Sequence, residues 1–278
     1  MRELARGLFL ESKYLGVHLG AIASSDGLLL IDSPVRTEDG REWLSSLGPH
    51  GRPRYLVILD HHPDRALGAR GFELPVIAHE VTRQVMQGWS DTFKGGASPI
   101  GADADRLKRV SGVRRAMPDL TFSDEMRIQL GDREIFLRHR PGPTGGAIWV
   151  EVQKPKVLFI GDAISLSEPP YVGEADLPNW MQMLELLRSS VYRNYTLISS
   201  RDGRLQPSSV AGMLRFLRKL PDRLARLADK SKPPEAAGAL AAGLLEGFRL
   251  SQARREQALI RLQAGLSRLY ERSYRSGN

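Results

Sequence analysis

The 278-residue sequence contains no cysteine. That excludes disulfides, thiolate nucleophiles and cysteine-ligated zinc together. Any metal would have to be held by His, Asp, Glu or backbone oxygen. Long apolar runs are also missing, since none approaches the roughly 20 residues needed to cross a bilayer, and no membrane partner is expected. The opening Met1-Arg2-Glu3-Leu4-Ala5-Arg6 mixes charges ahead of a short apolar patch. It lacks the h-region and cleavage site of a secretory leader, so a cytoplasmic location is expected. Neither a Walker-type glycine loop nor a Ser–His triad arrangement is found.

What is present is an ordinary globular composition, 41% hydrophobic and 26% charged, long enough for one large domain or a domain plus an extension. The formal charge is +8, and residues 205–278 carry all of it, with 14 Lys/Arg against 6 Asp/Glu. A basic segment attracts nucleic acid or acidic partners. Here the charges are interleaved with leucines, which favours a solvated helix face.

Apolar periodicity divides the chain into many short strands with helices between them. Residues 15–23 and 28–32 read as strands around Ser24-Ser25-Asp26-Gly27, a strong hairpin signal. Further strands are expected at 54–59, 76–78, 126–130, 134–138, 147–152, 157–160 and 195–199, with helices at 38–47, 80–88 and 177–190. Residues 88–118, rich in Gly, Ser and Asp, are read as a helical insertion or a mobile loop. Beyond Pro207 the pattern is helical: 208–220, 221–229, a helix opened by Pro233-Pro234, and a long one over 251–274. Leu259, Leu262, Leu266 and Leu269 form a narrow seam on that last helix. Core docking and homo-oligomer formation both explain it. Short strands without a regular βαβ repeat point to packed sheets covered by helices.

Four polar turns follow buried strands. Asp60-His61-His62-Pro63-Asp64-Arg65 closes the run 56–59. If the chain stays extended there, Asp60, His62 and Asp64 point one way and offer O, N and O donors to a cation. The others are Gly142-Pro143-Thr144-Gly145-Gly146, Gly161-Asp162 after Phe159-Ile160, and Arg201-Asp202-Gly203 after Ser199-Ser200. Taken singly each is a turn or a cap. Taken in order they suggest one shared rim.

In that order the motifs resemble the metallo-β-lactamase superfamily over roughly residues 8–205. Leu30-Ile31-Asp32-Ser33 resembles its early hydrophobic-Asp strand end, and 59–68 its His-x-His-x-Asp-His stretch. Residues 140–146 resemble its Gly-His-Thr-x-Gly turn, 157–163 its Leu-Phe-x-Gly-Asp strand end, and 199–203 its terminal Gly-His-Gly turn. Residues 177–187, with Trp180, resemble the helix between the last two motifs. The resemblance implies a four-layer αββα sandwich over residues 1–206, followed by a C-terminal helical region over 207–278. It also implies two metal ions, usually zinc, and a bridging hydroxide that attacks an ester, amide, thioester or phosphodiester.

Residue by residue the motifs depart from that pattern. Asp60 stands for the first His, while His62 and Asp64 keep their places. Arg65 replaces the next His, Pro143 the His of the glycine turn, and Asp202 the last; Asp162 keeps the bridging carboxylate. Proline has no donor, and a guanidinium stays protonated and cannot ligate. Arg65 is therefore expected to stand in for a metal, bridging Asp64, Asp162 or Asp202. The cofactor is expected to be none, or one divalent ion (Zn, Mn or Fe, the oxygen-rich set also suiting Mg) on Asp60, His62, Asp162 and Asp202. Asp64 is the candidate catalytic residue. His61, Thr144 and His139 are the supporting positions, with His61 alternating away from the cluster. His79 is expected at the surface.

Three functions are compatible with this reading. One is a catalytically inactive or weakly active binding or scaffold protein, taking a small-molecule ligand through the retained pocket. The second is a one-metal hydrolase of an ester, thioester or phosphoester. The third is a nucleic-acid-binding protein that uses the basic C-terminal helices.

Overall fold

A computed structural model describes residues 1–92, 114–206 and 208–275. Its strands form two sheets. The first runs in the order β1 (Arg2–Ala5), β2 (Leu8–Glu11), β3 (Leu19–Ser24), β4 (Gly27–Ile31), β5 (Pro53–Val57), β6 (Val76–His79) and β7 (Leu120–Phe122). The second runs from β8 (Glu125–Leu130) through β9 (Arg133–His139), β10 (Ile148–Val152), β11 (Val157–Phe159) and β12 (Thr196–Ser199) to β13 (Gly203–Arg204). The expected hairpins form at 24–27 and 131–132. Strands β1 and β2 were not expected, because their charged and short apolar sequence carries little signal alone; β2 is held by pairing with β3, and β1 by pairing with β2.

Helices complete the layers. On the first sheet lie α1 (Thr37–Leu47), α2 (Pro63–Ala66) and α3 (Glu80–Gln87). On the second lie α4 (Leu177–Arg188), α5 (Ser209–Leu217), α6 (Pro221–Asp229), α7 (Pro234–Gly238), α8 (Ala241–Leu245) and α9 (Gln252–Tyr270). Strand β4 shows how the sandwich is built. Leu29 and Ile31 face the second sheet with Ile148, Val150 and Phe159, while Leu28 and Leu30 face Trp43 and Leu47 of α1. Both faces are dry, so the strand is apolar throughout instead of alternating. The result is the expected αββα order of layers.

The C-terminal helices share a core with the second sheet. Leu262, Leu266 and Leu269 of α9 are buried beside Trp180, Leu184 and Leu214, and Leu259 packs against the same cluster. Among the described residues no helix is long and apolar enough to cross a membrane. The expectation for 88–118 falls largely on residues 93–113, outside the described residues.

The two sheets meet at one end. Parallel pairing of β4 with β5 and of β11 with β12 brings four carboxyl-terminal strand ends together. Backbone bonds from Ile148 N to Leu59 O (2.9 Å) and Ser200 N to Gly161 O (2.9 Å) fasten them. The side chains that follow these strands converge there.

Candidate functional site

Asp32 follows β4 with a left-handed backbone, φ 61°, a costly conformation for a residue with a Cβ. Its carboxylate compensates by accepting from Leu59 N (2.9 Å) and Ser200 Oγ (2.8 Å), which ties three strand ends to one side chain. Burial pushes Asp32 up to about 7, against the opposing pull of Arg65.

After β5 the chain bends at Leu59 and Asp60 instead of running on extended to His62. Pro63, preset for the first helical position, starts α2 there, so Asp64 and Arg65 enter the pocket from a helical turn and not by strand alternation. Asp60 Oδ1 accepts from His62 N (2.9 Å), lies 3.0 Å from His62 Nδ1, and meets Arg65 Nε at 3.1 Å. Burial alone would raise Asp60, but Arg65 and His62 outweigh it and hold the carboxyl well below its ordinary range.

Asp162 follows β11 in the turn of Gly161, itself left-handed at φ 57°. Its Oδ1 receives two guanidiniums, Arg65 through Nη2 and Arg201 through Nε at 3.1 Å. Its Oδ2 lies 3.3 Å from His62 Nδ1. Burial is again overcome, here by Arg201, Arg65 and His62 together, and Asp162 stays well below the usual carboxylate range. Arg201 also reaches Asp64 (Nη2 to Oδ2, 2.9 Å) and Gly16 O (3.0 Å), while Arg65 Nη1 lies 3.6 Å from Asp32. Arg261 of α9 approaches Asp64 at 3.7 Å. Relative exposures are 0% for Arg65, 1% for Asp60 and Asp64, 4% for His62 and 5% for Asp162. At these burials each carboxylate needs its cation, because leaving a buried charge unpaired costs on the order of several kcal/mol.

The structure thus gathers Asp60, His62, Asp64, Arg65 and Asp162 and leaves others outside. Asp202 is not in the cluster. Its two oxygens accept from Leu166 N (2.7 Å) and Ser167 N (3.0 Å), so it caps a loop instead of facing a cation, and the expected bridge from Arg65 to Asp202 does not form. Arg65 meets Asp162 as expected, together with Asp60 and Asp32, and the cation on Asp64 is Arg201. His61 is not turned away: it is 5% exposed, its Nε2 pairs with Glu174, and its Nδ1 is buried without a partner. His139 gives Nε2 to Gly145 O (2.8 Å) and stacks on His79 (3.8 Å between centroids), fastening the glycine turn from outside. His79 is buried, not exposed, and accepts from Val81 N as the cap of α3. Thr144 is fully buried and its Oγ1 has no partner. Gly142 packs directly on Trp180, whose indole donates to Ala163 O (2.9 Å) and so braces the Asp162 turn.

Arg201, Arg261, Glu168 and Glu174 were missed by sequence reasoning. Arg201 sits one residue before Asp202 in the same turn, and only the end of β12 at Ser199 decides which of the two points inward. For Arg261 a signal existed: Arg254, Arg261 and Arg268 recur every seven residues, which places them on one helix face.

These contacts decide which cations fit. A two-ion centre needs both cation positions on Asp162 open, and Arg65 and Arg201 fill them, so the residues do not fit two ions. Asp60, His62 and Asp162 do present three donor atoms within 4.8 Å of one another and could hold one ion. His62 Nδ1, set between two carboxylates, carries the proton that it donates to them. One ion there would displace that proton and compete with Arg65, whereas His62 Nε2 is buried without a partner.

Comparison with known proteins agrees with this architecture. Solved structures share it, two of them with the following similarity. A metallo-beta-lactamase family protein from Thermus thermophilus has TM-score 0.66 and 18% identity, covering 97% of this chain and 95% of its own. A metallo-beta-lactamase from Pontibacter korlensis has TM-score 0.61 and 17% identity, covering 78% and 97%. Among curated proteins, the acyl-coenzyme A thioesterases of Bos taurus and Homo sapiens are each 28% identical over 120 residues, 41% of this chain. The matched stretch spans 42% of the length of those relatives. The sequence profile of the metallo-beta-lactamase superfamily matches residues 15–202, taking in every element that sends a side chain to the acid–guanidinium cluster except α9, and the chain belongs to that superfamily.

Proposed function

We propose that this protein is a divergent member of its superfamily that lacks the two-ion hydrolytic centre and acts by binding, as a scaffold or small-ligand protein built on a charge-neutralised pocket. The observation that carries the reading is the pair of guanidiniums on Asp162. They supply fixed positive charge where the superfamily's chemistry calls for a hydroxide between two cations, and a guanidinium has no lone pair with which to hold or activate water. Asp64, the candidate catalytic residue, is neutralised by Arg201 and 1% exposed, which removes it from contact with any bulky substrate.

A second reading has its own support. Asp60, His62 and Asp162 together could carry one Zn, Mn or Fe ion, and the similarity to acyl-coenzyme A thioesterases suggests a thioester as substrate. A bound ion would polarise the carbonyl and lower the pKa of a water. The chain's own residues would orient it: Asp32 holds the strand ends together, and Arg65 restrains Asp60 and Asp162. Titration of zinc and manganese by calorimetry, with acyl-CoA and short thioester assays before and after addition, separates the two. The binding reading expects no turnover that chelator abolishes. Chelator-sensitive thioester hydrolysis with one ion bound would replace it with the second reading.

A further inference from the structure

We propose that Ser12 and His18 form a metal-independent nucleophile–base pair that hydrolyses small esters carrying an anionic group. Both lie on the loop between β2 and β3. Gly16, left-handed at φ 80°, turns that loop back on itself. The chemistry needs no ion on Asp60, His62 and Asp162 and is separate from the binding role of that pocket.

Ser12 Oγ lies 2.8 Å from His18 Nδ1, within hydrogen-bond reach for a nucleophile and its base. Both partners are held from outside the pair. The amides of Ser12 and Lys13 donate to Glu11 Oε1 (2.8 and 3.1 Å), and Glu11 is itself buried. His18 N donates to Ser200 O (2.8 Å), and the ring packs on Gly203, where a Cβ would lie 3.0 Å from Nδ1. Burial holds the His18 pKa below its ordinary 6.5, against the upward pull of Asp202 and of a hydrogen bond to the Arg201 backbone. Near neutral pH the ring is therefore uncharged. In the tautomer protonated on Nε2 it accepts the Ser12 hydroxyl hydrogen at Nδ1. Ser12 itself is exposed, so a substrate reaches its oxygen.

The pair lines a pocket of about 320 Å³, at the small end of the range for ligand sites. The pocket shares Arg201 with the acid–guanidinium cluster. Among the described residues, Lys13, Arg201 and Arg254 line it against one acid, Glu168. Lys13 pairs with Glu42 and Arg254 with Glu168, and both cations are in contact with solvent, where such pairs cost little to exchange for an anionic ligand. Positive charge there also favours the oxyanion that forms when an ester is attacked. Ser12 Oγ bonds to the ester carbonyl carbon while its proton passes to His18 Nδ1. As the carbon–oxygen bond to the leaving group breaks, His18 returns that proton to the departing alkoxide. Water then attacks the acyl-serine and gives a proton to His18. The acid departs as that proton passes back to Ser12 Oγ.

The test is labelling of the full-length protein with a fluorophosphonate, which captures activated serine oxygens. It is read by peptide mass spectrometry with EDTA present and exposed Ser45 as the internal reference. Ser12 is expected to label at least about a hundredfold faster than Ser45, and His18→Gln to remove that excess, the usual size of a general-base contribution. Labelling of Ser12 no faster than Ser45 would overturn the proposal. Should His18→Gln misfold, the pH profile of the unaltered protein decides. Labelling should level off by about pH 7, once His18 is deprotonated, and a rate that keeps climbing with hydroxide would overturn the pair. Hydrolysis of p-nitrophenyl succinate is expected at about tenfold or more the kcat/KM of p-nitrophenyl acetate, and to be lost in Ser12→Ala. Equal values for the two esters would overturn the anionic substrate class. Turnover that survives Ser12→Ala and is abolished by EDTA would overturn the pair and place the activity at the metal-binding residues instead.

Discussion

Replacing Arg65 by methionine keeps an apolar stem of similar length and deletes the guanidinium. Three buried carboxylates then lose a partner: Asp60 at 3.1 Å from Nε, Asp32 at 3.6 Å from Nη1, and Asp162 at Nη2. At an effective dielectric near 20, one such pair ~4 Å apart is worth about 4 kcal/mol before desolvation is counted. Burying the guanidinium offsets much of that sum, so the net loss is expected at about 3–5 kcal/mol, the range for removing one partner of a buried pair. For a chain of this size that corresponds to a fall in Tm of roughly 6–20 °C. The sign of the pH dependence follows from the same contacts. Without Arg65 the pull that opposes burial is lost, so the folded-state pKa of Asp32 rises above about 7, and those of Asp60 and Asp162 rise from their lowered positions, Asp162 less because Arg201 stays on it. Relative to the unaltered protein, the variant therefore recovers stability as pH falls. Urea unfolding followed by circular dichroism at about pH 8 and about pH 5 measures both quantities. A loss below about 1 kcal/mol, or a deficit that is the same at both pH values, would refute the view that Arg65 neutralises this pocket.

Other substitutions test separate parts of the account. Asp32 is pushed up to about 7, so its contribution to stability is full below its unfolded value and is lost as pH rises through about 7. Asp32→Asn should flatten the stability profile between about pH 4 and 7, and an unaltered slope in chemical unfolding would count against the assignment. Glu174 is lowered to about 2 against the pull of burial, chiefly by the hydrogen bond to His61, so its contribution is present above its unfolded value of 4.5 and is lost as pH falls toward about 2. Glu174→Gln should therefore be least stable relative to the unaltered protein near neutrality and converge with it in acid, a comparison made by Tm against pH. Gly20→Ala would put a Cβ 2.6 Å from the Phe159 ring between the sheets. It should cost about 1–3 kcal/mol in urea unfolding without altering the charged cluster.

Much of the fold was legible because both sheet faces are dry. Strands such as β4 and β11 appear as unbroken apolar runs, and Gly at 27 and 131 marks the hairpins with positive φ. Strands β1 and β2 were not legible, since β2 is held by pairing with β3 and β1 by pairing with β2, and not by their own composition. The site was legible up to the point where side-chain direction decides. Asp60, His62 and Asp162 converge because each follows a strand end, which sequence reveals. Whether Arg201 or Asp202 enters the pocket depends on one residue of register after β12, which it does not. Arg261 reaches Asp64 from a helix near the other end of the chain, and only the packing of α9 on the second sheet creates that contact.

Elemental analysis of the purified full-length protein after equilibration with excess zinc and manganese, followed by desalting, tests the central claim most directly. With Arg65 and Arg201 already on Asp162, at most one ion per chain should be retained. Two tightly held ions per chain, with hydrolysis that appears and disappears with them, would contradict it.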